Sequence, residues 1–265
     1  MCRVIVITSG KGGVGKTTAV ACLGAALAQM DKRVAMIDTD IGLRNLDVIL
    51  GLEDRITFDL VDVAAGLCEL NQALVKHPQM QNLTLLPAAQ TRDKSAVSPA
   101  QMRVIIAAMR PSFDYILVDC PAGIEQGFKN AVAGADSAIV VTNPEVSAVR
   151  DADRVIGLLG AYDLPGVQLI INKIRPKMVR RGDMMTVQDI LDVLDGALLG
   201  VVPDDETIIK AGNLGRSILS FDCAGALAYR KIARALEGEA PVREDRRKRR
   251  LLGRLFDGFK GGMQA

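Results

Sequence analysis

Val4–Thr18 reads VIVITSGKGGVGKTT. The β-branched run VIVIT at 4–8 passes directly into a glycine-rich loop, and an Ala/Leu/Val-rich stretch at 17–30 follows. An apolar run bounded by turn residues reads as a strand buried on both faces, and the longer stretch after it as a helix. The loop fits GxxxxGK[ST] as Gly10, Gly15, Lys16 and Thr17, in the strand–loop–helix setting that the pattern requires. Gly12, Gly13, Val14 and Gly15 let backbone N–H groups curl around phosphate oxygens, and a helix opening at Lys16, Thr17 and Thr18 adds the positive end of its dipole. Lys16 is expected to meet the β- and γ-phosphates and the Thr17 hydroxyl to bind Mg²⁺.

Outward from this loop, further apolar runs recur: VAMID at 34–38, LTLLPA at 83–88, YILVD at 115–119, AIVVT at 138–142, VQLII at 167–171 and LLGVV at 198–202. Helical patterns lie between most of them, at 98–110, 147–160 and 186–195, and a last core helix is expected over 223–236. Ser98-Pro99 reads as an N-cap followed by Pro at the first helical position. Strands alternating with helices predict an α/β fold, a doubly wound and mostly parallel sheet with helices on both faces. The expected organisation is a nucleotide-binding domain at 1–236, a linker at 237–245 and a tail at 246–265.

The net charge of +2 conceals an asymmetry: residues 243–265 hold eight Lys/Arg against three Asp/Glu, +5, so the first 242 residues sum to −3. A mildly acidic body with a basic tail suits a tail that meets phosphates or anionic lipid, and argues against a broad nucleic-acid surface. The five cysteines are widely spaced with no CxxC, which disfavours a disulfide framework or zinc site and makes a reducing compartment the default. The chain enters a strand-like run almost at once and has no stretch of about 20 apolar residues, so neither a signal peptide nor a spanning helix is expected. His77, the single histidine, precedes Pro78 in a polar stretch and carries no assigned role.

A carboxylate closing a buried strand beside a phosphate loop is where Mg²⁺ and its waters need a partner, which singles out Asp119. Asp38 and Asp40 follow the second strand; each Asp alone also fits a strand-end turn. Lys11 is a second lysine inside the loop. Since Lys16 already serves the phosphates, Lys11 suits a site across a dimer interface, as an arginine finger does; a solvated loop lysine is the plain alternative. Asn172-Lys173 closes another buried strand, and Arg175 replaces the acidic residue of the guanine-selecting NKxD pattern.

GKGGVGKTT resembles the deviant Walker A motif of the ParA/MinD superfamily of P-loop ATPases. DTDIGLRNLD at 38–47, LVDCPAGIE at 117–125, TNPEVSAVRDADR at 142–154, INKIRPKMVRRGDM at 171–184 and GVVPDDE at 200–206 extend the resemblance in register, on the MinD side of that superfamily. The resemblance implies ATP and Mg²⁺ as cofactors and a homodimer in the ATP state, with Lys11 acting in trans. It implies that Asp40 orients the attacking water and that Asp38 lies close to the metal. It places Asn172 beside adenine with Pro203 and Asp205 near the same ring. Asn45 and the segment Ser147–Arg154 fall on a surface read by partners, with Asp151 and Asp153 suited to pair with basic partner residues, although a solvated acidic helix face fits these two as well. The basic stretch Arg175–Arg181 reads as a solvated loop. The implied partners are a MinC-like division inhibitor and, where present, a MinE-like activator.

On a helix, Leu251, Leu252, Leu255, Phe256 and Phe259 fall within an arc of about 140°. Most of the charges lie opposite, and Gly253 weakens the helix by roughly 1 kcal/mol. A basic amphipathic terminus of this kind reads as an interfacial anchor. Partial burial of five apolar groups against the cost of ordering them leaves a few kcal/mol, a reversible hold, while two tails on one dimer gain roughly 10²–10⁴ in avidity. The expectation is an ATPase of the cytoplasm, peripheral on the inner face of the membrane, that regulates the site of division, with no specific nucleic acid. The alternatives are a ParA-type DNA-partition ATPase and a flagellar-number regulator of the MinD branch.

Overall fold

The computed structural model describes residues 1–93, 96–124, 126–162, 164 and 166–239. The tail and its five expected lipid-facing residues, with the linker beyond 239, lie outside the described residues. In chain order the elements are β1 (Arg3–Thr8), α1 (Lys16–Ala28), β2 (Val34–Asp38), α2 (Leu46–Leu50), α3 (Leu60–Ala64), α4 (Leu70–Ala73), β3 (Val75–Lys76), β4 (Leu83–Leu86), α5 (Pro99–Met109), β5 (Tyr115–Asp119), α6 (Gln126–Val132), β6 (Ser137–Thr142), α7 (Val146–Gly160), β7 (Gln168–Ile174), α8 (Pro176–Arg181), α9 (Val187–Leu191), β8 (Ala197–Pro203), α10 (Glu206–Asn213) and α11 (Ala224–Leu236).

Each expected strand is present, joined into one sheet of order β3-β4-β2-β5-β1-β6-β7-β8. Every pairing is parallel except β3 with β4. Because side chains alternate along a strand, β1 sends Ile5 and Ile7 to one face, where α1 and α11 cover them, and Val4 and Val6 to the other, under α5, α6 and α7. β1 lies between β5 and β6, and the chain crosses over it between those two strands. Ligands in open α/β sheets bind outside the C-terminal strand ends at such a reversal.

α1 explains its own sequence: it is buried on nearly every side, between the sheet and α11, which is why it carries Ala, Val and Leu all round rather than one apolar stripe. α5 begins as expected, with the Ser98 hydroxyl accepting from Gln101 N–H in a reciprocal capping box and Pro99 at the first position. Such a cap contributes about 1 kcal/mol.

Two expectations change. The stretch read as a solvated loop is the helix α8, opened by Pro176 and closed by Gly182 at φ 80°. His77 is buried rather than set in a polar loop. Its Nδ1 accepts from the N–H groups of Gln79 and Met80, both at 3.2 Å, which closes the β3–β4 turn. Among the described residues no helix is long and apolar enough to cross a membrane.

Candidate functional site: a phosphate cleft at the C-terminal ends of the strands

The residues between β1 and α1 form the floor of a cleft of about 590 Å³, within the range of small-molecule sites. Lys11, Gly12, Gly13, Gly15, Lys16, Thr17, Thr18, Asp40, Asn45, Asn172, Pro203 and Asp205 all line it. Of the other expected site residues, Asp38 and Asp119 sit beneath the loop at paired strand ends, and Asp151 and Asp153 lie on α7.

The loop has this shape because two glycines allow it. Gly15 has φ 93°, and a Cβ there would sit 2.4 Å from Asn172 Nδ2. A Cβ on Gly10 would strike the Asp151 backbone at 2.1 Å. α1 starts at Gly15 with no side-chain cap and no acidic residue in its first turn. Its first N–H groups are therefore left for an anion. Cβ atoms on Gly12 and Gly13 would meet nothing within 4 Å, so the cradle above them is open.

Lys16 runs beneath this cradle, with its side chain 8% exposed, and its Nζ lies 2.5 Å from Asp119 Oδ1. Asp119 Oδ2 has no partner. Asp38 stands opposite Asp119 in the sheet, and its two oxygens accept from Asp40 N–H at 2.9 Å and Leu46 N–H at 3.3 Å. Asp38 thereby ties down the loop that carries Asp40 and Asn45. Burial pushes the Asp38 carboxyl above the usual range, and the nearby Asp119 charge adds to it. Burial also raises Asp119, against the pull of Lys16. Two buried carboxylates, one of them paired with a lysine and keeping one oxygen orphaned, are a fitting donor set for a divalent cation that keeps most of its waters, and the Thr17 hydroxyl lies beside Lys16 Nζ at 3.4 Å. The Cys120 thiol next in the chain is pushed by burial to about 12, so it is no thiolate.

The second lysine behaves differently. Lys11 is half exposed, and its Nζ lies 3.2 Å from Ser147 Oγ and 3.8 Å from Glu145 Oε2, at the start of α7. It lines the cleft and turns toward α7. Leu43, Val48 and Ile209 line the same cleft and expose their apolar side chains.

Against the phosphate loop itself, Asn172 Nδ2 donates to Val14 O at 2.8 Å, and Asn172 Oδ1 is buried without a partner. An open acceptor suits the exocyclic amine of adenine, and not the carbonyl that guanine presents at that position. Asp205 uses both oxygens on backbone N–H groups, of Thr207 at 2.9 Å and Gly225 at 2.8 Å, joining α10 to α11. These bonds hold its carboxyl below the usual range against the opposing effect of burial. Asp151 pairs with Arg154 one turn on, and Asp153 is exposed.

Sequence reasoning did not join Glu145 and Ser147 to Lys11, which they hold, and gave no role to Lys173, whose Nζ donates to Gly13 O at 2.8 Å. The first two carry no local signal, because their partner lies over 130 residues away. Lys173 has a φ of 56°, a left-handed conformation costing roughly 1 kcal/mol in a non-glycine residue, and nothing in its neighbours announces it.

Comparisons with known proteins agree with this geometry. Residues 2–161 match the family model described as AAA domain. The septum site-determining protein MinD of Synechocystis is 54% identical over 90% of this chain and 91% of that protein. Among solved structures, the MinC:MinD cell division protein complex of Aquifex aeolicus is similar with a TM-score of 0.85 at 46% identity, covering 90% of this chain and 97% of that one. The Pyrococcus horikoshii MinD complexed with Mg-ADP gives a TM-score of 0.81 at 32% identity, covering 89% and 96%. The chain belongs to the MinD family of P-loop ATPases.

Proposed function

We propose that this protein is a Mg²⁺-dependent ATPase, active as an ATP-bound dimer, that regulates the site of cell division from the inner face of the membrane. The observation that carries this reading is the division of labour between two lysines of one loop. Lys16 is buried on Asp119 inside the cleft; Lys11 is half exposed on the lining of the same cleft, which also carries exposed apolar residues that a second subunit would cover.

In this reading the N–H groups of the loop and of the α1 N-terminus bind the phosphates, and Lys16 leaves Asp119 for the β- and γ-oxygens. Thr17, Asp119 and Asp38 would hold the cation. Mg²⁺ supplies neutralising charge to the phosphate oxygens. Asp40 orients the attacking water, and Lys11 stabilises charge on the partner's γ-phosphate. Asn172 accepts from the adenine amine, with Pro203 and Asp205 alongside the ring.

Asn45, Asp151 and Asp153 belong to the surface that a MinC-like inhibitor and a MinE-like activator would read; the Aquifex relative's complex with MinC supports the first. The tail is a weak anchor, held firmly only when dimerisation places two copies on one membrane. Co-sedimentation with anionic vesicles tests the reading. ATP is expected to promote binding, and deletion of 246–265 to abolish it. ATP-dependent binding to DNA with none to vesicles would favour the partition ATPase instead.

A further inference from the structure

We propose that Lys173 is a positioning residue, which together with Asn172 sets the direction of the phosphate loop's peptide groups. The inference rests on the reading of the cleft as a nucleotide site. Three observations meet at this point. The β7–β8 ladder shifts register twice: β8 carries one extra residue between the pairs Leu169↔Leu198 and Ile170↔Gly200, and β7 carries one extra residue between Ile171↔Val201 and Ile174↔Pro203, the second shift lying at Asn172 and Lys173. Bulges of this kind re-aim side chains next to functional sites. The extra residue is accommodated with Lys173 at φ 56°, a conformation that normally calls for glycine. The chain holds instead a long cation there, and its Nζ lies 2.8 Å from Gly13 O.

The two neighbours act on consecutive carbonyls. Asn172 Nδ2 binds Val14 O and Lys173 Nζ binds Gly13 O, each at 2.8 Å. In a trans peptide the C=O and the next residue's N–H point in opposite directions. Holding the carbonyls of Gly13 and Val14 toward β7 therefore turns the N–H groups of Val14 and Gly15 the other way, into the cradle. Gly13, with its φ of 80° and open surroundings, has little else to fix it. Lys173 acts through the loop and need not touch the nucleotide. Because Asn172 also offers its free Oδ1 to the base, the clamp links base recognition to phosphate recognition.

Calorimetric titration of the full chain with ADP and, separately, with inorganic pyrophosphate tests this, alongside the melting midpoint of the nucleotide-free protein. Lys173→Met keeps the stem and removes the charge. Loss of one charge-assisted hydrogen bond is expected to weaken both ligands about tenfold. The nucleotide-free midpoint should stay unchanged, since the side chain is exposed, and Lys173→Arg should recover most of the affinity. Wild-type affinity of Lys173→Met for both ligands would overturn the clamp. So would a loss accompanied by a lowered midpoint and not recovered by Lys173→Arg, which marks a merely structural role. Failure of the unmodified protein to bind ADP would overturn the nucleotide reading and the clamp with it.

Discussion

The two rims of the sheet are built from similar residues and used in opposite ways. At the N-terminal rim, charges are matched. Arg33 pairs with Asp114 at 2.8 Å and Arg110 with Asp136 at 2.7 Å. Glu237 meets Lys32 and the Tyr115 hydroxyl, while Arg3 lies over the Tyr115 ring and donates to Leu236 O. At the C-terminal rim, Asp119 Oδ2, Asn143 Oδ1 and Asn172 Oδ1, at the ends of β5, β6 and β7, are buried without partners. Unsatisfied buried polar atoms cost about 1–3 kcal/mol each. One rim is finished, and fixes the end of α11; the other is left incomplete where a ligand would complete it.

Substitutions at the two rims should therefore separate activity from stability. The largest effect is expected from Lys11→Ala. ATP hydrolysis should fall by about 10³-fold, the order of a charge-stabilising finger, while ADP affinity measured by titration stays near wild type, because Lys11 turns to α7 and not to the phosphate cradle. Asp119→Asn should lower hydrolysis by about 10²-fold by weakening the metal site, whereas Asp114→Asn at the opposite rim should leave the rate within about twofold, as surface changes usually do. Tyr115→Phe should cost about 1 kcal/mol in chemical denaturation through its lost hydrogen bonds, with nucleotide affinity unaltered.

The smallest effect concerns acid. Arg33 holds the Asp114 carboxyl at about 2, below its ordinary value of 3.8. A carboxyl depressed in the folded state adds stability above its unfolded pKa, and loses it as pH falls from near 4 toward 2. The pair is over one-third exposed, so solvent screens it and the contribution is small. Comparison of Asp114→Asn with wild type across that interval should show the slope reduced in the variant.

Much of this was legible in the chain. The strand runs, the phosphate loop and the Ser98-Pro99 start of α5 are local patterns whose physics operates over a few residues. β3 and the helices α2, α3, α4, α6 and α10 were not seen, because at two to eight residues they span one to about two periods, too short for a repeat to show. α8 was missed although Pro176 and Gly182 punctuate it, since its charged residues show no apolar stripe. His77 read as polar loop because its two backbone donors appear only once the turn closes. Within the site, residue types found the phosphate and metal groups. The positions of Lys11 and Lys173 depended on contacts between segments over 130 residues apart, which no spacing encodes.

The most direct test of the central claim, that Lys11 serves the partner's site, is the ATPase rate of an equimolar mixture of Lys11→Ala and Asp40→Ala subunits, each inactive alone. In a mixed dimer, the site of the Lys11→Ala subunit retains its own Asp40 and receives Lys11 from its neighbour. With random pairing, turnover should return to about a quarter of wild type per total subunit. No turnover in a mixture shown to exchange subunits, or normal turnover by Lys11→Ala alone, would contradict the account.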